Sequence, residues 1–172
     1  MTPIRIVVPT GCLVVLIGPS GSGKTTFASR HFPRTHVLSS DEMRAIVADD
    51  PNDQSATEAA FELLHTALGL RLAARRTSVV DATNVERWAR GRLLAIARRA
   101  NRQAIAVVLD LPLEVCMERN AARPDPRPAP ALRRQHRWMQ GSLATLEEEG
   151  FDPVWRLGSP EEVAAVELVA GG

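Results

Sequence analysis

The sequence predicts an α/β fold with a five-stranded, mainly parallel sheet flanked by helices, and three observations predict it. Two apolar runs of strand length, residues 12–17 and 104–109, show no polar alternation. Strands buried on both faces of a parallel sheet read this way. Helix-period segments separate the strand-like runs in succession, which is the pattern of parallel crossovers. The first run opens directly into a Gly-rich turn and then a helix. A length of 172 residues with 45% apolar content suits one domain over residues 1–172 with its own core.

The elements follow in order. Residues 12–17 (Cys-Leu-Val-Val-Leu-Ile) form the first strand. After the Gly-rich turn a helix covers 24–32 and Pro33 stops it. Residues 36–38 form the second strand, ending at Ser39-Ser40-Asp41, and a helix covers 41–48. The polar run 49–53 is a turn. A long helix over 54–75 sets Phe61, Leu64, Leu68 and Leu72 on one face. Residues 78–80 form the third strand, closed by Asp81-Ala-Thr-Asn84, and a helix covers 86–100. After the fourth strand at 104–109, Pro112 opens a helix that reaches 122. Four prolines between Pro124 and Pro130 exclude regular helix or sheet interior there. A helix over 131–149, a fifth strand at 154–157 and a last helix over 160–168 complete the set.

Composition narrows the setting. No apolar run reaches the roughly 18–20 residues of a membrane helix. The Met-Thr-Pro-Ile-Arg-Ile start is unlike a signal peptide. Cys12 and Cys116 suit neither a disulfide framework nor a zinc knuckle. The expectation is a cytoplasmic protein with no membrane partner. The net charge of +1 hides −2 over residues 1–70, +9 over 71–137 and −6 over 138–172. A basic middle fits a polyanionic substrate, although arginine-coated helix faces such as Arg98, Arg99 and Arg102 read as solvated surface. Lys24 is the only lysine, against 20 arginines.

That lysine sits in Gly18-Pro-Ser-Gly-Ser-Gly-Lys24-Thr25, a full match to G-x-x-x-x-G-K-[ST] between a strand and a helix. The glycines let backbone N–H groups curl around a phosphate, and the helix N-terminus adds positive charge. Lys24 reaches the β- and γ-phosphates as a compact point charge. Thr25 offers a hydroxyl to Mg²⁺ or Mn²⁺. The expected nucleotide set is Gly18, Ser20, Gly21, Ser22, Gly23, Lys24, Thr25 and Thr26, with ATP or another NTP bound.

Three clusters bear on the acceptor. Asp41 ends the second strand, where ligands gather in parallel sheets. It either takes a proton from an attacking hydroxyl or holds a metal-bound water, or it caps the next helix. Arg44, one turn on, suits an anionic group of the acceptor. Asp81 lies where a metal-polarising acid sits, and reads equally as a capping residue. Arg119 and Arg123 share a helix face ahead of the proline-rich segment. They suit a lid, about residues 119–136, that closes over the transferring phosphoryl group. Arg127 either joins them or is surface charge. Gln54 is a further candidate for the acceptor path. His65 reads as structural, and Trp138 and Trp155 read as packing residues.

The ordered set of Leu-Ile-Gly-Pro-Ser-Gly-Ser-Gly-Lys-Thr-Thr-Phe-Ala, Ser-Ser-Asp-x-x-Arg, Asn-Asp-Gln-Ser-Ala-Thr, Val-Val-Asp-Ala-Thr-Asn-Val and Val-Cys-x-Glu-Arg-Asn resembles the 5′-OH polynucleotide kinase domain of bacterial polynucleotide kinase-phosphatase, an RNA repair enzyme. The resemblance implies a P-loop kinase with strand order 2-3-1-4-5. It implies transfer of the γ-phosphate of an NTP to the 5′-OH end of RNA or DNA. Asp41 would be the general base, and Arg44 would contact the neighbouring phosphodiester. Arg119 and Arg123 would hold the donor phosphates. It also implies covalently linked phosphatase and ligase-like domains in a larger repair protein. The prolines at 124, 126, 128 and 130 depart from the family's helix-rich lid. Taken alone, the residues leave open a small-molecule P-loop kinase, or a nucleotide-binding regulatory module without an acceptor.

Overall fold

The structure is a computed structural model and describes residues 2–172. Its first element, β1 (Ile4–Val8), lies outside the expected set. The next are β2 (Leu13–Ile17), α1 (Lys24–His31), β3 (Val37–Ser39) and α2 (Ser40–Ala48). Then come α3 (Thr57–Ala73), β4 (Ser78–Asp81), α4 (Arg87–Arg99) and β5 (Ala104–Leu109). The C-terminal part holds α5 (Leu113–Ala121), α6 (Ala129–Ser142), α7 (Leu146–Glu149), β6 (Val154–Leu157), α8 (Pro160–Ala164) and β7 (Val166–Ala170).

Five parallel strands form the main sheet in the order β3-β4-β2-β5-β6. With β1 set aside, this is the expected 2-3-1-4-5. Strand β2 lies at the centre, with Leu13 opposite Ser78 on one side and Ala104 on the other. Its unbroken apolar run follows from that position. Leu13, Val15 and Ile17 enter the core under α3, α4 and α6, while Val14 and Leu16 meet Phe27 and Phe32 on the opposite face. The ends of β2, β3 and β4 thereby bring the phosphate loop, Asp41 and Asp81 to one edge.

Several expectations need correction. The last helix ends at Ala164, and Val166–Ala170 is a strand paired in parallel with β1. Ile6 and Val166 seal the second core cluster, so burial against a distant partner overrides the local helical pattern. The helix expected from 54 begins as a 3-10 turn over Gln54–Ala56, and α3 starts at Thr57. Its buried stripe is Ala60, Leu64, Leu68 and Leu72; Phe61 stands beside it and faces a cleft. The helix expected over 131–149 starts at Ala129, with Pro130 in its first turn, where proline lacks no needed N–H. It breaks after Ser142 and resumes as α7.

The break serves an ion pair. Glu149 on α7 reaches Arg90 through two bonds, 2.8 and 2.7 Å, and Arg90 is fully buried. Arg90 Nη1 also donates to the Asn84 carbonyl at 3.0 Å, so the pair fixes the loop after β4. Arg98 and Arg102 are likewise not plain surface. Arg98 donates to the Glu149 carbonyl and Arg102 to the carbonyls of Thr10 and Gly11. Trp138, expected in the packing, is 42% exposed. Among the described residues, no helix is long and apolar enough to cross a membrane.

Candidate active site

Gly18 to Gly23 links β2 to α1, and Lys24 and Thr25 open that helix, as the motif requires. Gly21 and Gly23 have φ of 81° and 93°, a left-handed conformation that disfavours side chains. A Cβ on Gly21 would lie 2.2 Å from the Cys116 carbonyl oxygen, and one on Gly18 would lie 2.5 Å from Ser22 Oγ. The loop is therefore as tight as its glycines allow. Gly21→Ala is expected to cost stability by about 1–3 kcal/mol and to weaken ATP binding with it. Thermal unfolding with and without ATP checks both.

Lys24 opens α1 and is 8% exposed. Its Nζ donates to the Pro19 carbonyl at 2.9 Å and to Ser22 Oγ at 3.4 Å. Burial pulls its pKa below the ordinary lysine value, and the Asp81 carboxylate partly restores it. Thr25 Oγ1 donates to Asp81 Oδ2 at 2.8 Å. Burial raises the Asp81 pKa, with Lys24 and the Thr25 bond opposing. A hydroxyl and a carboxylate are the hard oxygen donors that Mg²⁺ or Mn²⁺ takes. Among the described residues no three His, Cys, Asp or Glu cluster into a metal cage. A divalent ion at Thr25 and Asp81 would complete its shell with phosphates and waters, the usual habit of Mg²⁺ beside nucleotides.

Asp41 lies in the first turn of α2, but Ser39 is the cap, accepting from the Glu42 N–H at 3.4 Å. Asp41 Oδ1 accepts instead from Arg44 Nη1 at 2.7 Å and Arg127 Nη2 at 3.4 Å. Arg44 is 8% exposed and its Nε donates to Thr57 Oγ1 at 3.2 Å, which ties α2 to α3.

Arg119 lies in the last turn of α5, whereas Arg123 stands beyond the helix end in the following loop, so the expected shared helix face is not formed, although both line the cleft. Arg119 Nη1 is 3.3 Å from where a Gly23 Cβ would stand, so its guanidinium rests against the phosphate loop. Arg123 lies near enough for its charge to act on Lys24. Arg127 is drawn in rather than loose. Asn120 Nδ2 donates to its carbonyl at 2.8 Å, and its N–H donates to Asn120 Oδ1 at 3.0 Å. This pair of hydrogen bonds closes the exposed 122–126 loop on the buried Asn120. Gln135 Oε1 accepts from the Ser20 N–H at 2.9 Å, tying α6 to the phosphate loop.

Asn120 and Gln135 were not expected. The one sequence signal is an asparagine late in a helix, where its side chain competes for backbone groups. Gln54 does line the cleft, and so do Thr26 and Ser20. The cleft measures about 1740 Å³ and carries nine basic side chains against five acidic ones.

A family model described as an AAA domain matches residues 13–146. No protein of curated function matches the sequence. Among solved structures, a chain of the Pnkp1/Rnl/Hen1 RNA repair complex is 21% identical with a TM-score of 0.63. The match covers 85% of this chain and 47% of that one, so this chain spans about half of it. A gluconokinase from Sinorhizobium meliloti 1021 is 19% identical with a TM-score of 0.56, covering 91% and 87%. The Mycobacterium tuberculosis APS kinase CysC, solved with AMPPNP and APS, is 19% identical with a TM-score of 0.56, covering 92% and 95%. At these identities the likeness is one of fold.

Proposed function

The chain belongs to the AAA domain family and has the P-loop kinase fold, and from that premise we propose that it transfers the γ-phosphate of ATP to the 5′-hydroxyl end of RNA or DNA. Family and fold support phosphotransfer as the kind of reaction. The acceptor is the further step, and one observation carries it. Asp41 is gripped by Arg44 and Arg127 inside a cleft of about 1740 Å³. A pocket for one small ligand is about 300–1,000 Å³, so the cleft has room for a donor and a polymer end. A carboxylate flanked by guanidinium groups suits a hydroxyl whose neighbour is a phosphodiester.

Each residue then has a defined task. Lys24 and the loop amides hold the β- and γ-phosphates. Arg119 and Arg123 cover the donor phosphates and stabilise the charge that spreads in the transition state. Arg44, whose Nε and Nη1 hold Thr57 and Asp41, turns its remaining Nη2 to the first phosphodiester. Asp41 accepts the hydroxyl proton as the new O–P bond forms. The bond from the γ-phosphorus to the bridging oxygen breaks, and the nucleoside diphosphate leaves. A divalent ion held by Thr25 and Asp81 would neutralise charge on the β- and γ-oxygens.

The test is label transfer from γ-labelled ATP to 5′-OH RNA and DNA oligonucleotides, run beside gluconate, adenylylsulfate and free nucleosides. Labelled oligonucleotide is the expected product. Label on a small acceptor alone would replace the polynucleotide reading. ATP binding with no transfer to any hydroxyl would replace it with a regulatory role.

Asn120 gives a second check. Asn120→Ala frees the Arg127 backbone, so the guanidinium loses its fixed place on Asp41. The turnover number should fall roughly tenfold, the kinetic equivalent of about 1.4 kcal/mol or one lost hydrogen bond, with ATP affinity nearly kept. Steady-state kinetics with ATP and the oligonucleotide varied separately measure the split.

A further inference from the structure

The geometry points to a single-strand track between α3 and α4, where the bases beyond the terminal nucleotide stack on Trp88 and a backbone phosphate meets Arg92. This inference rests on the polynucleotide reading above. Trp88 is 65% exposed, which is unusual for so large an apolar side chain. It stands in the first turn of α4 and lines the same cleft as Asp41 and Arg44. Its indole N–H donates to the Glu86 carboxylate. The ring is thus anchored at its edge while its surface stays open, as a stacking platform requires.

A row on α3 joins this platform to the candidate base. Thr57, Phe61 and His65 follow at four-residue spacing and all line the cleft, so they share one helix face. The row begins at Arg44, which donates to Thr57. It runs for about 12 Å, the rise of eight helical residues. The Phe61 and His65 rings lie 5.9 Å apart, centre to centre. Arg92 stands one turn beyond Trp88 on α4 and lines the same cleft as His65, so α3 and α4, which pack together, border one groove. Arg134 of α6 lines the cleft as well. Among the carboxylates that line the cleft, Glu86 accepts from the indole N–H and Glu58 is exposed.

Aromatic rings interleaved with arginines are how proteins hold single strands without reading sequence. Every base offers a π-face, and guanidinium groups follow the phosphates. A small sugar or sulfate ester has no base to lay on Trp88.

The full-length chain tests the track through two acceptors, a 5′-OH mononucleoside 3′-phosphate and a 5′-OH single-stranded hexamer. Trp88→Ala should raise the hexamer KM about tenfold while its kcat stays within about twofold. The preference for hexamer over mononucleotide should fall by the same factor, and Trp88→Phe should restore most of it. An unchanged hexamer KM in Trp88→Ala, with transfer intact, overturns the track and leaves the kinase reading standing. Transfer by the wild type to neither acceptor overturns both. Hexamer binding without ATP should quench the indole fluorescence of the wild type and not that of Trp88→Phe. Equal quenching in the two places the bases elsewhere and overturns the assignment. Arg92→Ala should lower the slope of log K against log salt by about one phosphate contact. An unchanged slope removes Arg92 from the track.

Discussion

Lys24→Met is expected to lower phosphoryl transfer by about 10²–10³-fold or more, the effect of removing one fixed electrostatic donor, and to weaken ATP binding at the same time. Both losses follow from the position. Nζ touches the phosphate loop itself, at the Pro19 carbonyl and Ser22 Oγ, so its charge acts on ground state and transition state alike. Lys24→Arg should rescue little. A planar five-donor fork does not fit a spot that leaves lysine 8% exposed. Because no other lysine exists, an amine-directed reagent competes only with the N-terminus. The direction of the pKa shift sets the pH dependence. Burial lowers the Lys24 value, so its reactive neutral amine appears at a lower pH than that of an ordinary lysine. Bound triphosphate favours the ammonium, reverses the shift and shields the site. Mass spectrometry of the labelled residue follows both effects, and transfer that survives full modification at Lys24 would refute the assignment.

The parts of this architecture legible from sequence are those set by neighbours along the chain. The β2 run, the glycine loop and α1 are contiguous, so pattern and motif placed them within a residue or two. The placing of Asp41 and Arg44 on one face was legible because they sit a single helical turn apart, but their ion pair was not, since Arg44 was expected to reach for the acceptor. What was not legible depends on partners far along the chain. Strand β7 pairs with β1, so Val166 faces Ile4, and no local pattern at 160–168 distinguishes that from a continuing helix. Ala60 took the buried slot expected for Phe61 because the packing of α3 sets its rotation. Asn120 and Gln135 bond to Arg127 and Ser20, contacts invisible without the lid's fold. The exposure of Trp138 was hidden for the same reason, since a tryptophan in a helical pattern reads as a packing residue.

Asp41→Asn should reduce the rate of transfer by about 10²–10⁴-fold, the range of a lost general base, and leave ATP affinity nearly unchanged. The amide keeps the shape of the side chain and an oxygen for Arg44, so the change removes basicity more than structure. The separation from ATP binding follows from the contacts. Asp41 bonds to Arg44 and Arg127, whereas Asp81 bonds to Thr25 of the phosphate loop. Asp81→Asn should therefore weaken ATP binding and transfer together, and comparing the two variants separates the base from the metal-side acid. If Arg127 acts by holding Asp41, its contribution disappears once the carboxylate is gone. Asn120→Ala should then slow the wild type about tenfold and slow Asp41→Asn hardly at all. That non-additivity marks groups acting through one another. Additive losses would instead put Arg127 on the phosphates, acting independently of the base.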